Sequence, residues 1–433
     1  MDTTRINNMP KLWVPTLYFA EALPYAAVMI LSTIMYKNLG LSNTDMALYT
    51  SWLYLPWVIK PLWSPWVDRF GTKRSWIIIT QSIVATGIAS LAFSLSASFW
   101  LQASLACFWL MAFASATHDI AADGFYIIAL DSHNQSFYTG IRNTFYRIAM
   151  IFSQGALVIL AGWLAGKFDV QRAWSLTFGA MAIVMVILII CHVFLLPKVE
   201  KSESIVNENA GFCATFKELF SKPQLIPALI FILFFRFPEA QLIKIASPFM
   251  LDNPATGGLG LSTENVGFIY GTIGIIGLTL GGLLGGFLAA KDGLKKWLWP
   301  MVLSISLPDA VYIYLAAYRP DNLFLINSCV FIEQFGYGLG YTAYSLYLLY
   351  FSKGENSTSV YAICTGIMAL GMMLPGMISG YMCDLLGYYK FFWWVLLCCL
   401  ITVGVSAIIK VDPEFGKKQH SESEKKSDSE EKQ

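Results

Sequence analysis

The chain has 433 residues, of which 56% are hydrophobic and 13% charged, with a formal net charge of +1. A soluble domain carries about 25% charged residues, so this composition excludes an ordinary soluble enzyme and fits an all-α, polytopic membrane protein. The near-zero net charge gives no reason to expect a nucleic-acid partner. The eight cysteines fall mostly inside apolar stretches and lack metal-ligand spacing, so no disulfide framework, metal site or cofactor is expected.

A membrane-crossing helix needs roughly 20 apolar residues. That rule predicts twelve transmembrane spans, at about 12–36, 45–66, 75–96, 99–128, 137–165, 172–196, 224–250, 263–289, 297–318, 323–351, 357–384 and 388–410. The first is too long for a signal-peptide core and no small-residue cleavage site follows it, so it is read as a membrane helix. Lys and Arg favour one side. With both termini cytoplasmic, the inside segments hold Arg5, Lys11, Arg69, Lys73, Arg74, Lys198, Lys201, Lys217, Lys222, Lys291, Lys295, Lys296 and Lys353; the outside loops hold only Lys37, Lys167, Arg172, Arg319 and Lys390. The expected organisation is a six-helix half (1–197), a polar cytoplasmic linker (198–223), a second six-helix half (224–411) and a mixed-charge, Ser-rich disordered tail (412–433).

Ionisable residues inside spans mark candidate functional positions, because such groups are costly in a membrane without a partner or a task. In span 1, Glu21 precedes Pro24 and Tyr25. A proline leaves a carbonyl one turn back without its amide, so backbone and side chain both become available to a cavity. In span 2, Lys60 lies eight residues from Asp68 and is long enough to snorkel to the headgroups. The loop Asp68-Arg69-Phe70-Gly71-Thr72-Lys73-Arg74 offers Arg69, Lys73 and Arg74 to carboxylates or helix C-termini of a neighbour, the make-up of a cytoplasmic latch for gating. Span 4 carries His118, Asp119 and Asp123; the two acids share a face and His118 lies about 100° round from Asp119. Taking the hairpin of spans 4 and 5 to turn at Asn134, Asp123 and Arg147 reach similar depth and are expected to pair, leaving Asp119 or Glu21 as proton carrier. A buried carboxyl without a partner keeps its proton near neutral pH. In span 7, Arg236, Pro238, Glu239 and Lys244 match the Pro-interrupted, charged character of span 1, the pattern expected of a substrate path; three apart, Arg236 and Glu239 can also pair within their own helix. Gly-rich span 8 reads as helix packing, not a phosphate cradle. Asp309 follows Pro308 in span 9. In span 10, Glu333 is a further buried acid, and Tyr337, Tyr341 and Tyr344 share a face suited to a sugar-containing ligand or to aromatic packing.

The two halves resemble each other. Asp68-Arg69-Phe70-Gly71-Thr72-Lys73-Arg74-Ser75-Trp76 is echoed by Asp292-Gly293-Leu294-Lys295-Lys296-Trp297, and Ala161-Gly162-Trp163 by Ser379-Gly380-Tyr381, at offsets of 224 and 218. Mapped to the second half, Asp119 and Asp123 fall near Thr342 and Leu346, so the fold itself does not require acids there. Two such halves about an axis along the membrane normal is the major facilitator arrangement, and Asp68 to Arg74 resembles the signature loop of that superfamily.

Within it, Lys60-Pro61-Leu62-Trp63-Ser64-Pro65 before Asp68-Arg69 resembles the span-2 pattern of AmpG-type muropeptide permeases. His118-Asp119-Ile120-Ala121-Ala122-Asp123-Gly124 resembles their span-4 pattern, with His where Gln is usual, and Gly376 to Tyr381 resembles their span-11 end. The resemblance implies proton-driven uptake of disaccharide-peptide cell-wall fragments across a bacterial inner membrane, by a lipid-embedded monomer working through alternating access. A carrier of another oligosaccharide or glycoconjugate, or of acetyl-CoA, is the alternative. An integral membrane enzyme using His118 and Asp119 as acid and base would lack a nucleophile elbow, an H-E-x-x-H helix or a metal cluster. The candidate proton-coupling residues are Asp119, Glu21 and Asp123. Those for substrate are Glu21, Tyr25, His118, Arg147, Arg236, Glu239, Lys244, Glu333, Tyr337 and Tyr341, and those for gating Asp68, Arg69, Lys73 and Arg74.

Overall fold

The computed structural model describes residues 10–130, 132–198, 212–354 and 357–416, and among these it contains helices and no strand. Eleven helices among the described residues are long and apolar enough to cross a membrane. Counting also the broken segment 43–69, the elements are α1 (Pro10–Asn38), α2 (43–69), α3 (Lys73–Ser94), α4 (Trp100–Ala129), α5 (132–165), α6 (Val170–Leu195), α7 (Leu225–Leu251), α8 (Thr263–Asp292), α9 (Leu294–Tyr318), α10 (Leu323–Ser352), α11 (Ser357–Leu386) and α12 (Tyr388–Ile408). Side-chain caps start several of them: Ser42 accepts from the Asp45 amide, Thr72 from Ser75, Asp169 from Arg172 and Ser262 from Asn265.

The expected second span, 45–66, is not one continuous helix. It is divided into Asn43–Trp52, Leu55–Ile59, a 3₁₀ turn Lys60–Leu62 and Ser64–Arg69. Pro56, Pro61 and Pro65 stand at the starts of the last three pieces, where a missing amide is tolerated; placed inside one helix, each would remove a bond and press on the preceding turn. The breaks turn Trp57 and Lys60 toward the middle of the molecule.

In the first half α1 packs on α4 and α5, and α3 on α4 and α6; in the second, α7 packs on α11 and α12, and α9 and α8 both pack on α10. The halves meet along α2 with α11, α5 with α8, and α1 with α7. Glycines set these distances. Added Cβ atoms on Gly277, Gly281 and Gly285 of α8 would meet α10, and one on Gly271 would overlap Gly155 of α5. Large apolar side chains such as Phe93, Phe194, Leu283 and Leu400 are exposed on the outer faces, where lipid chains replace water.

One end of the molecule is sealed by polar contacts across the halves. Lys37 Nζ lies 2.7 Å from Asp252 Oδ2. Asn38 donates to Thr263 Oγ1 (2.8 Å), Asn43 Nδ2 to Tyr388 Oη (3.1 Å), and the Thr44 amide and hydroxyl both donate to Asp384 Oδ2 (2.9 and 2.7 Å). Tyr388 Oη donates in turn to Asp252, tying the ion pair into the same cluster. Among the described residues, the remaining cross-half hydrogen bonds reach only to mid-depth: Lys244 to Thr50 and Arg147 to Thr279. The seam is therefore closed at the Lys37 end.

Candidate substrate site

The α7 helix breaks where Pro238 withholds the amide that would bond the carbonyl of Phe234, and Arg236 sits in the break. Its guanidinium folds back on Glu239: Nε donates to Oε2 at 3.0 Å and Nη2 to Oε1 at 2.9 Å, a two-point grip. Nη2 also donates to Tyr337 Oη at 2.7 Å, and the guanidinium carbon lies 5.0 Å from the centre of the Tyr341 ring. The within-helix pair that the sequence allowed is thus present, and α10 holds it by one hydroxyl and one ring face.

On the opposite wall, α4 presents its two acids. Asp119 Oδ2 accepts from the Trp57 indole at 3.0 Å and lies 3.8 Å from Lys60 Nζ. Lys60 therefore turns inward rather than to the headgroups. Asp123 does not pair with Arg147. Its Oδ1 lies 3.3 Å from Arg142 Nη1 and accepts from Tyr18 Oη at 3.2 Å, and Arg142 also donates to Tyr18. Arg147, five residues farther along α5, reaches across the seam to Thr279 Oγ1 (2.9 Å) and has no carboxylate partner among the described residues. Glu21 has one carboxyl oxygen buried without a hydrogen-bond partner.

His118 faces away from this wall, as its 100° offset from Asp119 requires. Its ring is 1% exposed and its Nε2 lies 2.9 Å from Gln81 Nε2, while His192 Nδ1 lies 2.9 Å from Gln81 Oε1. The Gln81 amide donates to His118 and accepts from His192, so this row braces α3, α4 and α6 inside the first half. The expected substrate contact of His118 is replaced by packing.

Between the walls lies a cavity of about 300 Å³. The first half lines it with Tyr25, Tyr54, Trp57 and Lys60, the second with Arg236, Tyr270, Tyr312, Glu333 and Tyr337. Of the expected substrate residues, Tyr25, Arg236, Glu333 and Tyr337 line it directly. Glu239 and Tyr341 stand behind and hold Arg236. Lys244 is 2% exposed and sits in the seam, donating to Thr50 Oγ1 at 3.0 Å above the Tyr54 ring. Asp309 is buried and accepts a thiol contact from Cys399. Tyr54, Trp57, Tyr270 and Tyr312 were not singled out in the sequence; Trp57 alone had a signal, three residues before Lys60.

Of the candidate gating residues, Asp68 and Arg69 lie outside the described side chains. Arg74 donates to the carbonyls of Val193 (2.6 Å) and Leu196 (3.1 Å), closing the C-terminal end of α6. Lys73 Nζ reaches the Val67 carbonyl (3.4 Å) and packs beside Gly124 of α4. In the second half, Asp292 accepts from Trp297 Nε1 (2.9 Å) and pairs with Lys296 (3.0 Å).

Residues 16–349 match the family model described as Major Facilitator Superfamily. The chain belongs to the major facilitator superfamily. It is 25% identical over 384 residues to the anhydromuropeptide permease of Escherichia coli (strain K12), covering 86% of this chain and 74% of that one. It is 27% identical over 364 residues to an uncharacterized protein of Haemophilus influenzae, covering 80% and 82% of the two chains. Among solved structures it is similar to the nucleoside transporter NupG (TM-score 0.69, 16% identity, 95% of this chain and 100% of that one). It is also similar to a bacterial homolog of the human lysosomal transporter Spinster in an inward-facing, unoccupied conformation (TM-score 0.67, 17% identity, 92% and 95%). These structures show the fold, an all-α, polytopic major facilitator arrangement, and these structural neighbours are transporters.

Proposed function

We propose that this chain is a proton-coupled carrier of sugar-containing amphipathic solutes, with anhydromuropeptides as the substrate class. The observation that supports it best is the cavity, where aromatic rings from both halves surround a space bounded by Arg236 on one wall and Lys60 on the other. Rings with an apolar face and a polar edge suit sugar faces and N-acetyl groups. The two cations, and Arg147 with no carboxylate partner among the described residues, suit the carboxylates of a short peptide stem. The similarity to a named anhydromuropeptide permease supports the same class. In this reading the two six-helix halves, 1–197 and 224–411, rock about the site, which faces each side in turn. The Lys and Arg bias supports cytoplasmic termini, and in this reading the protein works as a monomer in a bacterial inner membrane. The sealed Lys37 end then faces outward.

Proteoliposomes test this with three solutes: a disaccharide anhydromuropeptide, the same disaccharide without peptide, and acetyl-CoA. An inward proton gradient is expected to accumulate the anhydromuropeptide at least tenfold over the protein-free control, with a protonophore abolishing the accumulation. Preferential uptake of acetyl-CoA would replace the substrate assignment. Accumulation that survives the protonophore would remove the proton from it.

A further inference from the structure

We propose that Glu333, on the second-half wall of the cavity, carries the exchangeable proton; this rests on the proton-coupled reading above. The argument is one of partners. A carboxylate inside a membrane protein is stabilised above all by a paired cation, and without one the neutral acid is the form that can stay. In the walls around the cavity Asp119 has Lys60 and an indole, Asp123 has Arg142 and Tyr18, and Glu239 has both arms of Arg236; Glu21 has an unpartnered oxygen but does not line the cavity. Glu333 lines the cavity, is 5% exposed, and has no ion pair among the described residues.

The groups around it are neutral or already engaged. On its own helix, Gln334 donates to both its oxygens at 3.0 and 3.2 Å. From α9, Tyr312 Oη lies 3.4 Å from Oε2, and Tyr312 is bonded in turn to Tyr270 of α8. From α7, the charged groups are Arg236 and Glu239, which hold each other. Behind it, Asp309 meets the Cys399 thiol of α12 and does not line the cavity. Across the cavity Lys60 is engaged with Asp119, and on α5 Arg147 with Thr279.

Tyr312 and Tyr270 both line the cavity, so the carboxyl is joined to its water by two hydroxyls in a row. The step is a plain transfer. The Glu333 O–H bond breaks, the proton passes to cavity water directly or by the hydroxyl pair, and a carboxylate is left.

Two arms test this on the full-length protein. N,N′-dicyclohexylcarbodiimide adds whole to a protonated carboxyl in an apolar site and leaves carboxylates untouched. Labelling at pH 7 with peptide mass spectrometry is expected to place the adduct on Glu333; an adduct on Asp119 or Glu21 instead, or none on Glu333, overturns the proposal. In proteoliposomes, Glu333→Gln is expected to lose gradient-driven anhydromuropeptide accumulation by at least tenfold and to make any counterflow that remains independent of pH, and Glu333→Asp to regain part of both. If the wild type responds to the gradient and E333Q responds equally, Glu333 is not the carrier and the proton-coupled reading stands. If the wild type does not respond at all, both fall. Should E333Q lose counterflow too, the labelling arm decides.

Discussion

Replacing Arg236 by glutamine is expected to lower transport at least 100-fold and to cost about 3–5 kcal/mol of stability, the range for breaking a buried ion pair by removing one partner. The side chains of Arg236 and Glu239 are 11% and 5% exposed, so the orphaned carboxylate could not recover its hydration. The guanidinium also holds the Tyr337 hydroxyl and lies over the Tyr341 ring, so its loss frees two side chains on the cavity side of α10. The double variant Arg236→Gln, Glu239→Gln separates the two roles. It removes both charges with little change in volume, and thermal unfolding in detergent should return to within a few degrees of wild type. Transport should not return, because the cavity has lost its second-half cation. A double variant that carries solute at wild-type rate would make the pair purely structural and remove it from the site.

The second large effect is expected at a position that touches no solute. Gly380 of α11 faces the backbone of α2 so closely that a Cβ would overlap the Asn43 carbonyl. Backbone cannot rotate aside, so Gly380→Ala has to part the two helices where Asn43 meets Tyr388 and Thr44 meets Asp384. Overpacking of this kind costs roughly 1–3 kcal/mol, about five- to 160-fold in a two-state equilibrium. The cost falls on the state closed at the Lys37 end, and turnover, which must visit that state, should drop at least tenfold. Hydrogen exchange should quicken in 37–45 and 376–390 and stay unchanged in α3 and α6. Gly286→Ala is the control, since nothing lies within 4 Å of its added methyl, and it should be silent. Equal exchange in both variants would mean the seam is not the moving part.

Much of this architecture was readable because a bilayer leaves few options. Apolar runs of some 20 residues become helices, and lysines sort to one side. The second span escaped because its run is apolar but holds three prolines, and only in three dimensions do those become piece boundaries rather than kinks. The Asp123 partner was misjudged for a countable reason. The hairpin was centred on Asn134, whereas α4 ends at Ala129 and the next helix begins at Ser132, so the level of Asp123 on α5 comes earlier and Arg142 reaches it instead of Arg147. Charged residues in spans were legible as unusual; which of them meet was not. Lys244 and Thr50 are 194 positions apart, and no periodicity within either helix encodes their contact. The aromatic lining was hidden for the opposite reason, since tyrosines are common here and only the cavity separates Tyr270 and Tyr312 from those that merely pack.

Among the described residues three helices carry a π turn: Ala27–Leu31 in α1, Ile151–Leu157 in α5 and Ile269–Gly274 in α8. Each such turn holds one residue more than a regular helix, which rotates everything beyond it by about 100°. The two turns in α5 and α8 touch at Gly155 and Gly271. Deleting a single residue within 269–274 would restore a regular helix and swing Thr263–Phe268 through that angle, carrying Thr263 away from Asn38. The chain therefore has a phase as well as a length. A relative one residue shorter in this turn would need a different partner for Asn38, so alignments through α8 are best anchored separately on each side of it.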